Sequence, residues 1–537
     1  MKRHKQKLWP VRYRMLSLIF ILALLASGCA QITQPAETAI EQEKQEEAQG
    51  PLQVYLMGHG NYISSEDKEW EEYSLPVTIG LETTWYMPGY AQGNPLYQAL
   101  LDYADETETE IQVTFFDNST DLMQQVQENT AQGEGPDLAL IVKQFSANAQ
   151  NSWWKLLQDG TFENLSPYLN LDVNRYYEPV LRSGQYQEKQ YLVPLLFDLS
   201  GFVTSEEFLQ EVGQAIPTEQ ASYEEIVNLF RETCMALQQN SSKLALYEGT
   251  TIWEHYIMNV LLAAAGYGNL QESKPLAEET VQQILSMMRE FLVQNWQKIP
   301  GCIENTAKEN RNKGNALYDR FNFGPLYAED PEYKREMLGI MLDGGFGGHL
   351  ACSSLIMQAY ALQTYYGEMG ENVLVRGIPM AGSPGEYTAN VTVLGFSPAG
   401  CDQVEGAAAC LQYLLDYDYP PEIGISVSRE RVEEDLAFLQ NAAKELYIQP
   451  QYDPMADKAI QQELFNQSKV IFNPMQEEVA QTLQQLLDHI GGASLPYGKV
   501  MSEGQVILEA YWDGEQSAQE AARSICSMLN QFWGVSA

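Results

Sequence analysis

Apolar and polar positions alternate with two different periods along the first part of the chain. Period-two runs rich in β-branched residues predict strands at Leu75–Tyr86, Glu110–Asp117 and Gly135–Val142. Helical spacing predicts helices at Asn94–Thr107 and Ser119–Gln132. This strand–helix–strand–helix–strand order is typical of an α/β fold with a mostly parallel sheet flanked by helices.

Ligands of such sheets bind beyond the carboxyl ends of the strands. The positions of interest therefore lie just after Tyr86, Phe116 and Val142. Residues 51–75 precede the first of the predicted strands, and we interpret them as an extra segment in front of the usual pattern.

The rest of the chain adds two more predicted strands and many helices. The strands lie at 190–204 and 390–398, a long and mainly helical region separates them, and the C-terminal part is helical. No internal repeat is present. At 537 residues, the chain exceeds the size of one compact core, so we expect two or more structural lobes.

The N-terminus has the pattern of a secretory signal: a basic start, a short apolar run and small residues before a cysteine. The apolar run Met15–Ser27 is shorter than the about 20 residues of a membrane span. The segment LASGC, Leu25–Cys29, resembles the lipobox of bacterial lipoproteins. The resemblance implies that residues 1–28 are removed and that Cys29 carries lipid. An ordinary signal peptide with an incidental cysteine is the alternative.

Residues 29–50 are polar, acidic and nearly free of large apolar side chains, which predicts a disordered tether. The whole chain is acidic too, with a formal net charge of -40. Such a surface repels phosphates, so we expect no nucleic acid partner. None of the seven cysteines stands in a C-x-x-C pair, which argues against a zinc or redox centre.

A glycine-rich stretch, LGIMLDGGFGGHLACSS, runs over Leu338–Ser354 and raises the question of a nucleotide site. Counted from Gly345, the third glycine of a dinucleotide fingerprint is replaced by Leu350, and the stretch holds no lysine for a phosphate loop. Asp343 would repel a phosphate. We therefore predict no nucleotide cofactor and interpret the glycines as clearing space beside Phe346.

Motifs of the common hydrolases are missing from the sequence, which has no G-x-S-x-G and no H-E-x-x-H. His255, His349 and His489 are scattered rather than spaced as metal ligands. Acidic residues are so abundant that a carboxylate pair for a glycosidase can always be proposed, and such a pair means little without geometry. We expect no catalytic residue and no metal site, with an extracellular glycoside-acting enzyme as the alternative.

Aromatic residues stand at the ends of predicted strands and at the starts of predicted helices. Trp85 and Tyr86 end the first strand, Asp198 and its neighbour Phe197 follow an apolar run, and Trp253 begins a helix. Aromatic faces cover the C–H faces of sugars, and carboxylates or amides hydrogen-bond their hydroxyl groups. The pattern favours a carbohydrate ligand, although each aromatic residue alone is also typical of a core.

Six stretches together resemble the extracellular solute-binding proteins of ABC importers, family 1. They are GPDLALI at 135–141, FENLSPYL at 162–169, YLVPLLFD at 191–198, MLGIMLDGGFGG at 337–348, EGAAACLQYLLDYDYPPEIGISVSRE at 405–430 and YWDGEQSAQEAARSICSMLNQF at 511–532. The resemblance implies a two-lobed periplasmic-binding-protein-like fold of type II. Each lobe would be a mostly parallel sheet flanked by helices, with a hinge of crossing segments between the lobes.

The resemblance also places the lobes along the chain. Lobe 1 is expected to comprise 51–196 and 386–418, and lobe 2 to comprise 197–385 and 419–537. The expected crossings lie near Pro194–Ser200, Glu386–Val393 and Asp418.

Ligand contacts are implied residue by residue. The family's loop after the first strand matches Trp85 and Tyr86, its polar loop after the GPD strand matches Lys143, its acidic contact past the first crossing matches Asp198, and its stacking aromatic of lobe 2 matches Phe346, with Trp253 a looser match. The family often has Asp-Gly in the turn that Gln187 and Glu188 occupy here, so that turn is altered.

The expected function is that of an extracellular solute-binding lipoprotein that captures a solute between two lobes and delivers it to the permease of an ABC transporter. A mono- or oligosaccharide is the favoured solute, and a peptide or another polar solute stays open. The lipid anchor implies a place on the extracellular face of a Gram-positive cell membrane. A binding lipoprotein without transport, serving a sensor kinase or adhesion, is a further alternative.

Overall fold

The computed structural model describes most of the chain after the tether. The described residues are 50–57, 95–116, 119–142, 152–211, 213–239, 261–266, 268–296, 355–419, 421–441, 444–447, 469–496, 504, 506–508, 510–511 and 513–533. The predicted signal and tether lie outside these residues, as does the glycine-rich stretch around Phe346.

The N-terminal part is an alternating α/β unit. Its elements are β1 (Leu52–Met57), α1 (Pro95–Thr107), β2 (Ile111–Phe116), α2 (Ser119–Gln132) and β3 (Leu138–Val142). The sequence predictions for α1, β2, α2 and β3 are confirmed. On α1, the buried side chains Leu96, Ala99, Leu100 and Tyr103 recur with the spacing of one helix face, which explains why this segment is a helix lying on the sheet.

The first described strand lies ahead of the predicted strand Leu75–Tyr86, which falls outside the described residues. β1 lies at Leu52–Met57 and pairs in parallel with β2 on one side and with β3 on the other. The interpretation of residues 51–75 as an addition before the first strand is therefore wrong. Because β1 is a central strand of a sheet covered on both faces, its residues form an almost continuous apolar run instead of an alternating one.

Further elements follow up to the long strand that organises the sheet. They are α3 (Trp153–Gln158), α4 (Glu178–Arg182), β4 (Gln185–Tyr186), β5 (Lys189–Gln190), β6 (Val193–Leu199), β7 (Gly201–Ser205), α5 (Glu206–Glu211), α6 (Tyr223–Gln239), α7 (Glu278–Trp296), α8 (Leu355–Met369), β8 (Val373–Gly377), β9 (Pro379–Met380) and β10 (Ser383–Phe396). The C-terminal elements are α9 (Val404–Leu415), β11 (Ile425–Ser426), α10 (Arg429–Asn441), β12 (Lys444–Tyr447), β13 (Lys469–Phe472), α11 (Glu477–Asp488), β14 (Ile490–Ser494) and α12 (Ala518–Phe532).

Strands β4 and β5 form a tight hairpin around the altered turn. Gln185 pairs with Gln190 and Tyr186 with Lys189, so Gln187 and Glu188 are the two loop residues. Their φ angles are 50° and 63°. Positive φ at both central positions is the type I′ geometry that favours Asn-Gly in such hairpins. Gln187 and Glu188 therefore adopt a left-handed backbone without a glycine.

The main sheet is built around β10, the longest strand. Its order is β2-β1-β3-β10-β6-β11, and β9 and β14 also pair with β10. The C-terminal end of β10 pairs antiparallel with β3 and β6, whereas its N-terminal end pairs with β14 in parallel and with β9. β10 thus joins one set of strands at one end to another set at the other end.

The fold is the predicted α/β class, with a mixed sheet flanked by helices. The pairing around both ends of β10 is compatible with the two-lobed type II arrangement, and the lobe boundaries stay a prediction. No helix of the described residues combines the length and the apolar character that crossing a membrane requires.

Candidate functional site

Four strands end at the same edge of the main sheet. β1, β2 and β3 are mutually parallel. β6 runs in their direction too, because β6 and β3 both pair antiparallel with β10. The order β2-β1-β3 reverses at β1, which makes this a topological switch point, where sheets of this class bind ligands beyond the carboxyl ends. We call this place the carboxyl edge; it lies at Met57, Phe116, Val142 and Leu199.

Asp198 is the one predicted ligand residue within the described part of the chain. It is the penultimate residue of β6 and half-buried, so the structure places it at the carboxyl edge. The other five predicted ligand residues lie outside the described residues: Trp85, Tyr86, Lys143, Trp253 and Phe346. Lys143 directly follows Val142, the last residue of β3. The roles of Trp85 and Tyr86 therefore stay predictions.

Asn390 lies beside Asp198 on the neighbouring strand. Val391 pairs with Phe197, so the next step of this antiparallel register sets Asn390 opposite Asp198. On its other side Asn390 pairs with Ser494 of β14. Side chains at paired positions of neighbouring strands share a face of the sheet. Asp198, Asn390 and Ser494 therefore form one row across three strands, which we call the polar row.

Ser200 holds the centre of the polar row in place. Asn390 Nδ2 donates a hydrogen bond to Ser200 Oγ at 3.1 Å. The main chain of Ser200 is fixed as well, because its N–H donates to the carbonyl oxygen of Thr388 and its carbonyl oxygen accepts from Ile378 N, both at 3.0 Å. Since Ser200 is fully buried, this contact sets the orientation of the Asn390 amide.

Three buried hydroxyl groups lie in the polar row or two residues from it on β10. Thr388 Oγ1, Thr392 Oγ1 and Ser494 Oγ are buried and have no hydrogen-bond partner among the described residues. A buried hydroxyl without a partner costs about 1–3 kcal/mol. Binding of water or of a ligand that hydrogen-bonds these hydroxyl groups is therefore favoured.

An irregular stretch of pairing and a glycine give the edge its local shape. Val393 pairs with Leu196 out of register, and the register of the pair Val391–Phe197 returns at the pair Leu394–Pro194, so neither strand gains a residue. The ladder between β10 and β6 is therefore irregular beside Thr392. Gly424 precedes the β11 residue that pairs with Phe197, and its φ is +142°. This backbone conformation favours glycine, and a Cβ on Gly424 would also make a tight contact of 3.2 Å with Thr392 Oγ1.

The opposite face of β6 is supported by aromatic and charged contacts. Phe197 packs edge-on against Tyr177, with ring centroids 5.6 Å apart. The Arg429 guanidinium lies over the Tyr177 ring at 4.3 Å from its centroid, and Arg429 Nη1 contacts Asp488 Oδ1 at 3.2 Å. Burial raises the pKa of Tyr177 to about 12, so its hydroxyl stays neutral. These contacts on its other face hold β6, the strand that carries Asp198, in position.

Metal or thiol chemistry finds no support in the described residues. They contain no group of three or more His, Cys, Asp or Glu residues that could hold a metal ion. Cys401, Cys410 and Cys526 are free thiols, and burial raises the pKa of Cys526 to about 11. A thiol of that pKa is protonated and unreactive near neutral pH.

The sequence analysis singled out Asp198 but not Asn390, Ser494 or Ser200. The candidate site at the carboxyl edge therefore adds three polar residues to the predicted ligand residue. Asn390 opens the predicted strand 390–398, and a polar residue there looks like an ordinary strand start. Ser494 lies more than a hundred residues away, so only the pairing of β10 with β14 brings it to Asn390.

No protein-family model matches the chain, and no curated protein matches it. Solved structures do show similarity. The galacto-N-biose-/lacto-N-biose I-binding protein of an ABC transporter from Bifidobacterium longum, in complex with lacto-N-biose, is 12% identical, with a TM-score of 0.48 over 91% of this chain and 99% of that one. An ABC transporter solute-binding protein from Thermotoga lettingae, bound with alpha-D-tagatose, is 12% identical, with a TM-score of 0.44 over 90% of this chain and 100% of that one. An extracellular solute-binding protein of family 1 from Alicyclobacillus acidocaldarius is 12% identical, with a TM-score of 0.42 over 90% and 99%. The solved structures to which this chain is similar are thus those of solute-binding proteins.

Proposed function

We propose that the chain is an extracellular solute-binding lipoprotein that captures a carbohydrate and delivers it to the permease of an ABC transporter. The observation that carries the proposal is the polar row of Asp198, Asn390 and Ser494 at the carboxyl edge of the sheet. Parallel α/β sheets bind ligands at this edge, and the row lies where the strands around β10 meet.

The chemistry of the polar row suits a ligand with many hydroxyl groups. A carboxylate accepts hydrogen bonds, an amide both donates and accepts them, and a hydroxyl group does both. Asp198, Asn390 and Ser494 supply one of each. Neighbouring hydroxyl groups of a sugar can pair with neighbouring side chains of this kind, and charge-assisted bonds to the carboxylate are the strongest of them.

Binding between two lobes is part of the proposal. Lobe 1 would comprise 51–196 and 386–418, and lobe 2 would comprise 197–385 and 419–537. The pairing of β10 supports this division, because its two ends belong to different groups of strands. A ligand that contacts both groups stabilises the closed form, since only that form offers both sets of contacts.

The lipid anchor at Cys29 and delivery to a permease rest on the sequence. The lipobox-like segment Leu25–Cys29 and the acidic tether that follows support an attachment to the outer face of the cell membrane. Replacement of Cys29 by alanine tests the anchor, because lipid labelling should then be lost and the protein released from the membrane. Retention of the Cys29→Ala protein in the membrane fraction would overturn it.

Ligand binding is tested by a thermal-shift screen of mono-, di- and trisaccharides on the mature chain. A ligand that binds the folded state raises the melting temperature. We expect at least one sugar to raise it, and the shift to be lost in Asp198→Asn and in Asn390→Ala. Asp105→Asn, an exposed position on α1, is the matched control and should keep the shift.

The outcomes separate the ligand from the site. A screen in which no sugar raises the melting temperature overturns the carbohydrate assignment. A shift that persists in both Asp198→Asn and Asn390→Ala overturns the polar row as the binding site. Release of cleaved product from an oligosaccharide during the incubation would instead favour the glycoside-acting enzyme.

A further inference from the structure

Strand β10 is shared by two groups of strands. Its residues Val393–Phe396 pair with β3, and its residues Tyr387–Asn390 pair with β14. Between these two stretches, the pairing of β10 with β6 is irregular from Val391 to Leu394. Because the ladder is locally disrupted there, a change in angle between the two groups of strands is expected to concentrate at this point of β10.

A side-chain contact connects the same two groups without passing through β10. Trp153 lies at the start of α3, the first described helix after β3, and Pro496 follows β14 by two residues. Trp153 Nε1 donates a hydrogen bond to the Pro496 carbonyl oxygen at 2.5 Å. Trp153 is only 7% exposed, so water competes little for this bond.

Both ends of the contact are firmly held. The Trp153 ring packs against Phe162 and Phe396, with centroids 6.2 Å and 6.5 Å away. On the other side, Leu495 N donates to the Gly268 carbonyl oxygen at 3.0 Å.

Gly268 in turn lies directly against the Trp533 ring, where a Cβ would come within 1.9 Å of a ring atom. The main chain before Pro496 is thus fixed to the end of α12. A displacement of either group of strands therefore acts on the hydrogen bond between Trp153 and Pro496 rather than on a loose loop.

We propose that Trp153 is a clasp, which holds the strands on the two ends of β10 at a fixed angle by its bond to Pro496. The carbonyl oxygen that accepts the bond belongs to Pro496, two residues after Ser494 of the polar row. This role rests on the proposed function only in one respect: in a solute-binding protein, the clasp stabilises the arrangement of the two lobes that this structure has.

Among the described residues, the bond between Trp153 and Pro496 is not the only link between the two groups of strands. Leu270 N donates to the Ser183 carbonyl oxygen at 3.0 Å, just after α4, which itself packs against β14. That bond joins main-chain atoms, so a side-chain replacement leaves it intact. Loss of the clasp is therefore expected to loosen the arrangement rather than to unfold the protein.

Hydrogen exchange of the ligand-free mature chain tests the clasp. Two replacements of Trp153 are compared: phenylalanine, and 3-benzothienylalanine, whose ring has nearly the shape of indole with sulfur in place of the N–H group. We expect amide exchange in the peptide 490–496 to become about fivefold faster in both, a factor that corresponds to about 1 kcal/mol and to the usual value of one hydrogen bond.

Trp154 provides the matched control, because it is the next residue on the same helix and packs against Tyr186 instead. Trp154→Phe should leave exchange in 490–496 unchanged. An unchanged rate with 3-benzothienylalanine at position 153, or faster exchange confined to α3 itself, overturns the clasp. If Trp153→Phe does not fold, the benzothienyl replacement decides alone. A failed sugar screen overturns the proposed function and leaves this result untouched.

Discussion

Asn390 on β10 contacts Ser200, the residue that directly follows β6, with Asn390 Nδ2 donating a hydrogen bond to Ser200 Oγ at 3.1 Å. Ser200 is fully buried between β6 and β7, and Asn390 is half-buried at the centre of β10. The same asparagine lies between Asp198 and Ser494. The buried Ser200 thus determines the orientation of the Asn390 amide in the polar row.

A double-mutant cycle of Ser200→Ala and Asn390→Ala measures this link. Each single variant should lose stability, because each leaves a polar partner without its hydrogen bond. The double variant should lose less than the sum, with a coupling energy of about 1 kcal/mol in urea unfolding. Asn390→Ala combined with Ser524→Ala, at a half-buried position of α12, is the control pair and should be additive. Strict additivity of Ser200→Ala and Asn390→Ala would contradict the contact.

The hairpin between β4 and β5 offers a way to stabilise the protein. Gln187 and Glu188 both have positive φ, a region that costs a residue with a Cβ about 1–2 kcal/mol. The double replacement Gln187→Asn and Glu188→Gly introduces the residues that type I′ turns favour. We expect the free energy of unfolding to rise by about 1 kcal/mol, measured by urea denaturation.

Alanine provides the control for this turn. Glu188→Ala removes the same charge and the same long side chain as Glu188→Gly but keeps the Cβ. We therefore expect Glu188→Ala to gain no stability, and an equal gain from alanine and glycine would show that charge, not backbone strain, is at work.

Local sequence patterns were sufficient for α1, β2, α2 and β3, because each of these elements has a clear period of its own. They were insufficient for β1. Leu52–Met57 is an apolar run without alternation, and it follows directly on a polar tether. A short apolar run is ambiguous until its partners are known, and the partners of β1 lie far along the chain.

The candidate site depended on long-range pairing in the same way. Asp198 was predicted because it follows an apolar run and matches a family pattern. Asn390 and Ser494 became part of the site only because β10 pairs with β6 and β14. The predicted strand 390–398 also fell short of the observed Ser383–Phe396, since the first residues of β10 are exposed and polar.

Gly424 should tolerate no side chain. Its φ of +142° suits glycine, and a Cβ there would lie 3.2 Å from Thr392 Oγ1 and 3.3 Å from Leu196 Cβ. Gly382 is the matched control, because its φ is +78° but a Cβ there would have open space around it. We expect Gly424→Ala to lower the melting temperature clearly more than Gly382→Ala. Equal losses would mean that neither the φ of +142° nor the crowding at Thr392 adds to the cost of a side chain at a glycine with positive φ.

Asp435 on α10 is the described carboxyl group with a strongly raised pKa. Burial is the main cause, followed by the negative charges of Asp418 and Glu434, and the pKa rises from its usual 3.8 to about 7. Arg431 acts in the opposite direction. It does not cancel the rise, because it also donates to the Asp416 carbonyl oxygen at 2.9 Å and pairs with Glu434.

The pH dependence of stability follows from this shift. With a pKa that is higher in the folded than in the unfolded protein, Asp435 binds its proton more tightly when folded. The stability that this protonated carboxyl group adds to the folded protein is therefore complete at low pH. It is lost as the pH rises from about 4 to about 7. Asp435→Asn removes the titrating group. The urea midpoint of this variant minus that of the unmodified chain should therefore increase between about pH 5 and about pH 8. Asp105→Asn is the control and should follow the unmodified chain at both pH values. A midpoint difference for Asp435→Asn that stays constant with pH would show that this carboxyl group titrates normally.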